Sequence, residues 1–179
     1  FATITLEPGQ RLQIRAANRT RPVIRLLDYL TDSPDSFSFE GGAGSTLTLD
    51  GLLITGRGVR ISGGLAHVTL RHCTLVPGWA PDSNCEPQRP AEPSLELVNV
   101  PGPITIDHCL LGSIQVNQDE VLTDPIPVTL VDSILDATDE ALEAIGAPGC
   151  PVAHVNFSVY RSTIIGLSQV HAMPLAENS

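Results

Sequence analysis

Residues 68–78, VTLRHCTLVPG, contain the pattern from which the architecture can be worked out. Val68 and Leu70 alternate with polar neighbours, as on a strand with one buried face. Cys73 and Leu75 alternate again, but two polar residues separate the two pairs and shift the alternation by one position. Neither a single strand nor a helix produces this pattern. It predicts two short strands joined by a two-residue corner.

The same ten-residue pattern recurs along the chain with apolar, Thr or Ser, and polar corner residues at matching positions. The other copies are LTLDGLLITG (47–56), ITIDHCLLGS (104–113), VTLVDSILDA (128–137) and FSVYRSTIIG (157–166). The spacing between copies varies, so the unit is kept within the chain while its connections differ. Internal repetition of this kind indicates a solenoid.

A third short apolar segment lies in each interval between copies. These segments are Phe37 to Phe39, Val59 to Ile61, Leu95 to Leu97, Ile114 to Val116 and Val152 to Val155, and the segments Leu12 to Ile14 and Val23 to Leu26 precede the first of them. Three strands per turn predict an all-β, single-stranded parallel β-helix of about five to six coils, forming one domain over residues 1–179. The alternative, an antiparallel β-sandwich, does not require the same two-strand unit to recur.

The coil pattern resembles the right-handed parallel β-helix superfamily that includes pectate lyases and phage tailspikes. The resemblance implies a right-handed stack, and the chain is also similar to β-helix segments of large bacterial proteins, some of them tail-like or surface proteins. The closing stretch MPLAENS (173–179) matches the start of a further coil. We therefore expect the chain to be truncated from a longer solenoid, with an exposed terminal coil that permits edge-to-edge self-association.

Composition narrows the range of partners. The net charge is −10, all ten basic residues are Arg, and aromatic residues make up 4% of the chain. An acidic chain disfavours binding to a nucleic-acid backbone. No apolar run approaches the roughly 20 residues needed to cross a bilayer. We expect a protein partner or neighbouring domains of the same parent chain, and neither nucleic acid nor membrane.

The long connections, predicted at 27–36, 77–94 and 136–151, all fall between the second strand of a repeat and the following third strand. Equivalent corners of a solenoid lie on one side, so these insertions should share a face. They carry half of the acidic residues together with two aromatic ones. This pattern predicts an acidic contact face, although polar loops covering the core would look the same. The candidate contact residues are Tyr29, Trp79, Asp82, Glu86, Asp139 and Glu140. A helical turn is predicted from Thr138 to Gly146.

The corner residues could bind a metal. The fifth position of successive repeats is Gly51, His72, His108, Asp132 and Arg161. Two imidazoles and a carboxylate on adjacent coils, His72, His108 and Asp132, are ligands that suit a transition metal. The alternative is an exposed polar ladder in which Asp132 pairs with Arg161. We favour the ladder and keep the three residues as the metal candidate.

The four cysteines fall into two groups. Cys73 and Cys109 occupy the inward sixth position of neighbouring repeats, and parallel side chains on adjacent strands lie slightly too far apart for a relaxed disulfide. We expect two buried free thiols there. Cys85 and Cys150 lie in predicted insertions whose loops could meet, and the sequence leaves open whether they are bonded.

No motif for bond-making chemistry is found. TIDHC (105–109) resembles the Asp-His run of some pectate lyases, but the accompanying arginine motif is missing and the pair sits at an ordinary corner. No phosphate loop, nucleophile elbow or CxxC pair is present. We assign no catalytic residue and no cofactor. The sequence favours a non-catalytic structural or docking module, and the alternative is a carbohydrate-binding or carbohydrate-active β-helix that uses the aromatic residues and insertion carboxylates.

Overall fold

The computed structural model describes residues 3–26, 36–119 and 124–179, and within them the predicted parallel solenoid is confirmed. Three parallel sheets enclose one core, and no helix occurs in these ranges. The chain visits the sheets in strict rotation, completing six coils and adding two strands of a seventh. The stack is therefore slightly longer than the five to six coils that the repeats predict.

The three sheets are numbered by the order in which the chain enters them. Sheet 1 contains β1 (Ile4–Leu6), β4 (Phe37–Gly41), β7 (Val59–Gly63), β10 (Leu95–Val98), β13 (Ile114–Asn117), β16 (Glu143–Gly146) and β19 (Leu167–Ser168). Sheet 2 contains β2 (Arg11–Arg15), β5 (Thr46–Asp50), β8 (His67–Arg71), β11 (Ile104–Asp107), β14 (Ile126–Val131), β17 (Ala153–Tyr160) and β20 (Val170–Glu177). Sheet 3 contains β3 (Val23–Arg25), β6 (Leu53–Thr55), β9 (Thr74–Leu75), β12 (Leu110–Leu111), β15 (Ile134–Asp136) and β18 (Thr163–Ile165).

The register of sheet 2 places apolar side chains of successive coils next to one another. Val68 faces Ile104, which faces Val128, which in turn faces Phe157, and all four side chains are buried. Burying one such aliphatic or aromatic side chain contributes about 1.5–3 kcal/mol. Because the column repeats in every coil, the core runs along the whole stack with few aromatic residues.

The two-residue corner turns through a left-handed backbone conformation. The fifth-position residues all have positive φ: Gly51 at 75°, His72 at 52°, His108 at 51°, Asp132 at 46° and Arg161 at 46°. This conformation suits glycine and is also tolerated by His and Asp. It explains the shift in alternation, since one residue in this conformation reverses which face the next side chain meets.

At the sixth position of each repeat, the backbone N–H donates to a side chain of the next coil and not to a backbone carbonyl. The Cys73 N–H donates to Cys109 Sγ at 3.4 Å, and the Cys109 N–H donates to Ser133 Oγ at 2.9 Å. The Ser133 N–H continues the series to Ser162 Oγ at 3.1 Å. The Cys109 thiol also donates to the Asp107 carbonyl at 3.3 Å. Each small side chain therefore satisfies a buried backbone group of the preceding coil.

Cys73 and Cys109 are buried free thiols, as the sequence predicts, and Cys85 and Cys150 are exposed and unbonded. Contact with the Cys73 thiol and burial both raise the pKa of Cys109. Cys109 therefore keeps its proton at neutral pH, which its role as a hydrogen-bond donor requires.

Replacing Cys109 by alanine is expected to lower the free energy of unfolding by about 1–3 kcal/mol, because the buried N–H of Cys73 loses its acceptor. Serine at the same position keeps an acceptor, as Ser133 and Ser162 already do, so most of the loss should be recovered. Urea unfolding of the two variants measures the difference. Equal losses in both variants would show that Cys109 stabilises the fold through packing and not through this hydrogen bond.

The last predicted insertion is wrong in its bounds. Glu143–Gly146 forms β16 of sheet 1, with Ile145 paired to Ile114, where the sequence predicts a helical turn. The predicted third strand at Val152 to Val155 is instead the start of β17 in sheet 2. The acidic and apolar residues of this segment imitate helical spacing, but Ala144 and Ile145 are both buried in the stack.

The long connections are consequently not confined to one corner. Residues 147–152 and 118–125 link sheet 1 to sheet 2, whereas 76–94 and 137–142 link sheet 3 to sheet 1. Cys150 therefore lies at a different corner from Cys85. The loops 76–94 and 137–142 remain on the same side of the stack and border the outer face of sheet 1.

Candidate functional site

The loop 76–94 is ordered by its own hydrogen bonds. Gln88 N–H donates to the Ala80 carbonyl at 2.9 Å, and Asp82 N–H donates to the Glu86 carbonyl at 2.8 Å. The Asp82 carboxylate accepts from the N–H groups of Asn84 at 2.8 Å and Glu86 at 3.0 Å. Asp82 is thus used to shape the loop, which folds back on itself and stands at the edge of sheet 1.

Trp79 ties this loop to the coils. Its carbonyl accepts from Gly56 N–H and from Thr55 Oγ1, both at 2.7 Å, and its indole N–H donates to the Pro93 carbonyl at 2.9 Å. Its φ of 70° is unfavourable for a bulky residue, at a cost of about 1–2 kcal/mol. The half-buried ring carries the Arg57 guanidinium at 4.6 Å from its centroid.

Trp79 borders a cavity of about 430 Å³ on the outer face of sheet 1, named here the Trp79 cavity. The strand register gives the cavity a polar floor, with Arg60 between Ser38 and Glu96, followed by Gln115. Arg60 Nη1 donates to both Glu96 oxygens at 3.2 Å. The cavity therefore combines one aromatic wall with a floor of hydrogen-bonding groups.

Two neighbouring cavities continue this depression toward the later coils. They measure about 360 and 610 Å³ and share Pro90, Ala141 and Leu142. We call them together the trough, which lies between the loops 76–94 and 137–142 and is lined by both apolar and polar residues. Its carboxylates are Glu86, Asp139 and Glu143, and no basic side chain of the described residues lines it. Apolar side chains such as Pro90 and Leu142 beside carboxylates suit a ligand that is both apolar and cationic.

The residues predicted for the contact face divide between these surfaces. Glu86 and Asp139 line one cavity of the trough, and Trp79 lines the next depression. Asp139 also accepts from the Ala141 N–H at 2.8 Å. Glu140 is exposed and lines neither surface. Tyr29 lies outside the described residues.

Sequence reasoning missed the floor of the Trp79 cavity. Arg60 and Glu96 occupy the outward positions of third strands, so the alternation within VRISG and LELV placed them on the surface. The missing information was that loop 76–94 stands beside that surface. Two carboxylates, Glu92 and Glu96, line the cavity, but both come from one short segment, and Glu96 is held by Arg60 and Asn117.

The corner residues form a ladder of ion pairs on successive coils, and one of these pairs is the predicted one. Arg71 Nη2 lies 2.9 Å from Asp50 Oδ2, and His72 Nδ1 lies 3.4 Å from Asp50 Oδ1. The expected pair of Asp132 and Arg161 is confirmed, with two hydrogen bonds of 2.7 and 2.6 Å. The guanidinium of Arg161 holds the pKa of Asp132 below its ordinary value.

The Asp50 carboxylate should make the free energy of unfolding decrease at acid pH. Burial raises the pKa of Asp50, but hydrogen bonds from Arg71 and His72 outweigh this effect and leave the pKa lowered from 3.8. A lowered folded-state pKa means that the stabilisation is complete above the ordinary value and is lost as pH falls through the folded value.

We therefore expect the free energy of unfolding to fall below about pH 4 in the parent protein, and less steeply in Asp50→Asn. Urea unfolding from pH 6 to pH 2 measures both slopes. Glu7→Gln, which removes an exposed carboxylate from an unrelated corner, serves as the control and should keep the parent slope. An unchanged slope in Asp50→Asn would contradict the role assigned to this residue.

Comparison with protein-family models, with curated proteins and with solved structures finds no match to this chain. No helix in the described part of the chain is long and apolar enough to span a membrane.

Proposed function

We propose that the chain is a non-catalytic docking module, a rigid β-solenoid that binds a protein segment in the trough. The observation that carries the proposal is the trough itself, a depression between two loops that presents apolar side chains together with Glu86, Asp139 and Glu143. A segment with an apolar side chain flanked by Lys or Arg complements this surface. Membership of the pectate-lyase-like superfamily, with its right-handed coil, is part of the same proposal.

The charges elsewhere support a structural role. Asp50, Asp132 and Glu96 each pair with an arginine of a neighbouring coil, and Asp82 shapes a loop. These groups stabilise the stack and the loops. The carboxylates around the trough have no basic neighbour in its lining, so a cationic partner is the complement they lack.

A peptide library displayed on phage and selected on the immobilised protein tests this proposal. We expect the selected peptides to be enriched in Lys or Arg beside an apolar residue. Their affinity should fall at least about tenfold in E86Q/D139N, equivalent to about 1.4 kcal/mol. The amide introduced by D139N keeps an oxygen that can accept from the Ala141 N–H, so the loop should remain folded.

The matched control is E7Q/E140Q, which removes the same charge from exposed residues outside the trough. It should change the affinity less than about threefold, because surface charges act weakly through water and salt. Equal losses of affinity in the two double variants would mean that only the overall charge of the protein matters. That result would contradict docking in the trough. Selected peptides without basic enrichment would contradict it as well.

A second candidate is carbohydrate binding in the Trp79 cavity, favoured by the half-buried indole beside a floor of Ser38, Arg60, Glu96 and Gln115. Sugars present apolar ring faces and many hydroxyl groups, which match an aromatic wall and a polar floor. A glycan array with neutral and uronic-acid oligosaccharides tests it. Binding should be lost in W79A and kept in W79F, whereas binding that survives in W79A would reject this site.

A further inference from the structure

The corner ladder has a feature that stacking alone does not require. Each of its two histidines has its Nδ1 beside a carboxylate oxygen: His72 lies 3.4 Å from Asp50, and His108 lies 2.7 Å from Asp107. A histidine held in this way through Nδ1 presents Nε2 as a metal ligand, and such carboxylate partners are usual behind metal-binding histidines. Both imidazoles are more than half exposed, so they are accessible to an ion from solvent.

A second ligand already lies close to one of these nitrogens. His108 Nε2 is 3.9 Å from Asp132 Oδ2. Zinc binds nitrogen and carboxylate oxygen at about 2.0–2.2 Å, which places two tetrahedral ligands about 3.4 Å apart. A side-chain movement of about half an ångström therefore brings the two atoms to a zinc-binding separation.

The Asp132 carboxylate can still bind a metal while it is paired with Arg161. Arg161 forms two hydrogen bonds with Asp132, and each carboxylate oxygen retains a further lone pair for a metal. Ligand atoms of Asp107, His108 and Asp132 all lie within 4.8 Å of one another, and they form the one such group found among the described residues. The positive charge of Arg161 opposes a cation, so a modest affinity is expected.

We propose that this corner binds a divalent first-row ion such as Zn²⁺ through His108 Nε2 and Asp132, with Asp107 orienting the imidazole. His72 lies beside this pair, with its exposed ring centred 5.4 Å from the His108 ring and tilted by 39°. Rotation toward the ion, at the expense of its contact with Asp50, makes it a third ligand in this proposal. Imidazole and carboxylate ligands together suit zinc, copper and nickel. The site lies away from the trough and is independent of docking there.

Zinc titration by calorimetry tests the proposal. The exposed thiols of Cys85 and Cys150 would bind zinc themselves, so C85S/C150S is the parent for every measurement. We expect saturable binding that weakens at least about tenfold in H108A, in D132N and in D107N. H72A should weaken it as well, and thermal unfolding should show a zinc-dependent rise in Tm that is smaller in these four variants than in the parent.

Two controls separate ligation from damage to the ladder. H154A/H171A removes another cross-coil histidine pair, with ring centroids 5.6 Å apart, and should keep the parent affinity. R161Q breaks the ion pair with Asp132 but leaves the ligand, so it should bind zinc at least as tightly. Absence of saturable binding below about 1 mM zinc, parent affinity in H108A, or loss of binding in R161Q would each overturn the proposal.

Discussion

Replacing Phe157 by alanine is expected to lower the free energy of unfolding by about 3–5 kcal/mol, the range for deleting a buried aromatic side chain. Phe157 is fully buried in β17, where it pairs with Val128. It is one of the largest side chains in a core that is otherwise almost entirely aliphatic. Val128 of the preceding coil lies against it, and protein interiors are close-packed, so the surrounding side chains can collapse only partly into the cavity.

The neighbouring residue gives the control. Ser158 points to the opposite face of the same strand, and Ser158→Ala should change stability by no more than about 0.5 kcal/mol. Urea unfolding of both variants is the measurement. A one-residue shift of register would exchange the two faces. A small effect at Phe157 together with a large one at Ser158 would therefore contradict the register of β14 and β17.

The second large effect is expected at a glycine that stacks on another glycine. Gly63 has a φ of 89° and pairs with Gly41 of the preceding coil. A Cβ at Gly63 would lie 2.4 Å from the Gly41 carbonyl oxygen, a distance at which the backbone of one coil must move. Gly63→Ala should therefore cost about 2–5 kcal/mol, combining the left-handed conformation with overpacking.

Gly44 separates these two contributions. It also has a positive φ, 75°, but a Cβ there would meet no atom within 4 Å. Gly44→Ala should therefore cost only about 1–2 kcal/mol, the conformational part alone. Urea or thermal unfolding of the two variants gives the comparison. Equal losses would mean that the two coils separate easily at Gly63, contrary to the packing described.

The fold could be predicted from the sequence because each coil buries side chains at the same positions as the coil before it. The column that contains Leu70 and Ile106 is visible in the sequence as an alternation that recurs in each repeat. The parallel register follows once the repeats are aligned. The repeats predict too few coils because the outer coils lack a full repeat unit. In the last coil, for example, β19 is only Leu167–Ser168. A two-residue strand is defined by its neighbours and not by its own pattern.

The surfaces were harder to predict than the core. Glu86 and Asp139 were predicted for one face, and they do line one cavity. Arg60 and Glu96 were not predicted, because their role depends on which loop stands beside an outward strand position. The segment that includes Glu143 was predicted as helical because local spacing favours a helix, whereas pairing with β13 makes it a strand. Tertiary contacts override local preference in such cases.

The hydrogen bonds between coils have a mechanical consequence. They run along the axis of the stack, in three sheets and through the side chains at the corners. A pull along that axis loads every bond of one coil boundary at the same time, whereas a pull on a single loop is carried first by covalent bonds around one coil. The molecule should therefore transmit tension along its length until a whole boundary opens, and release it one coil at a time thereafter.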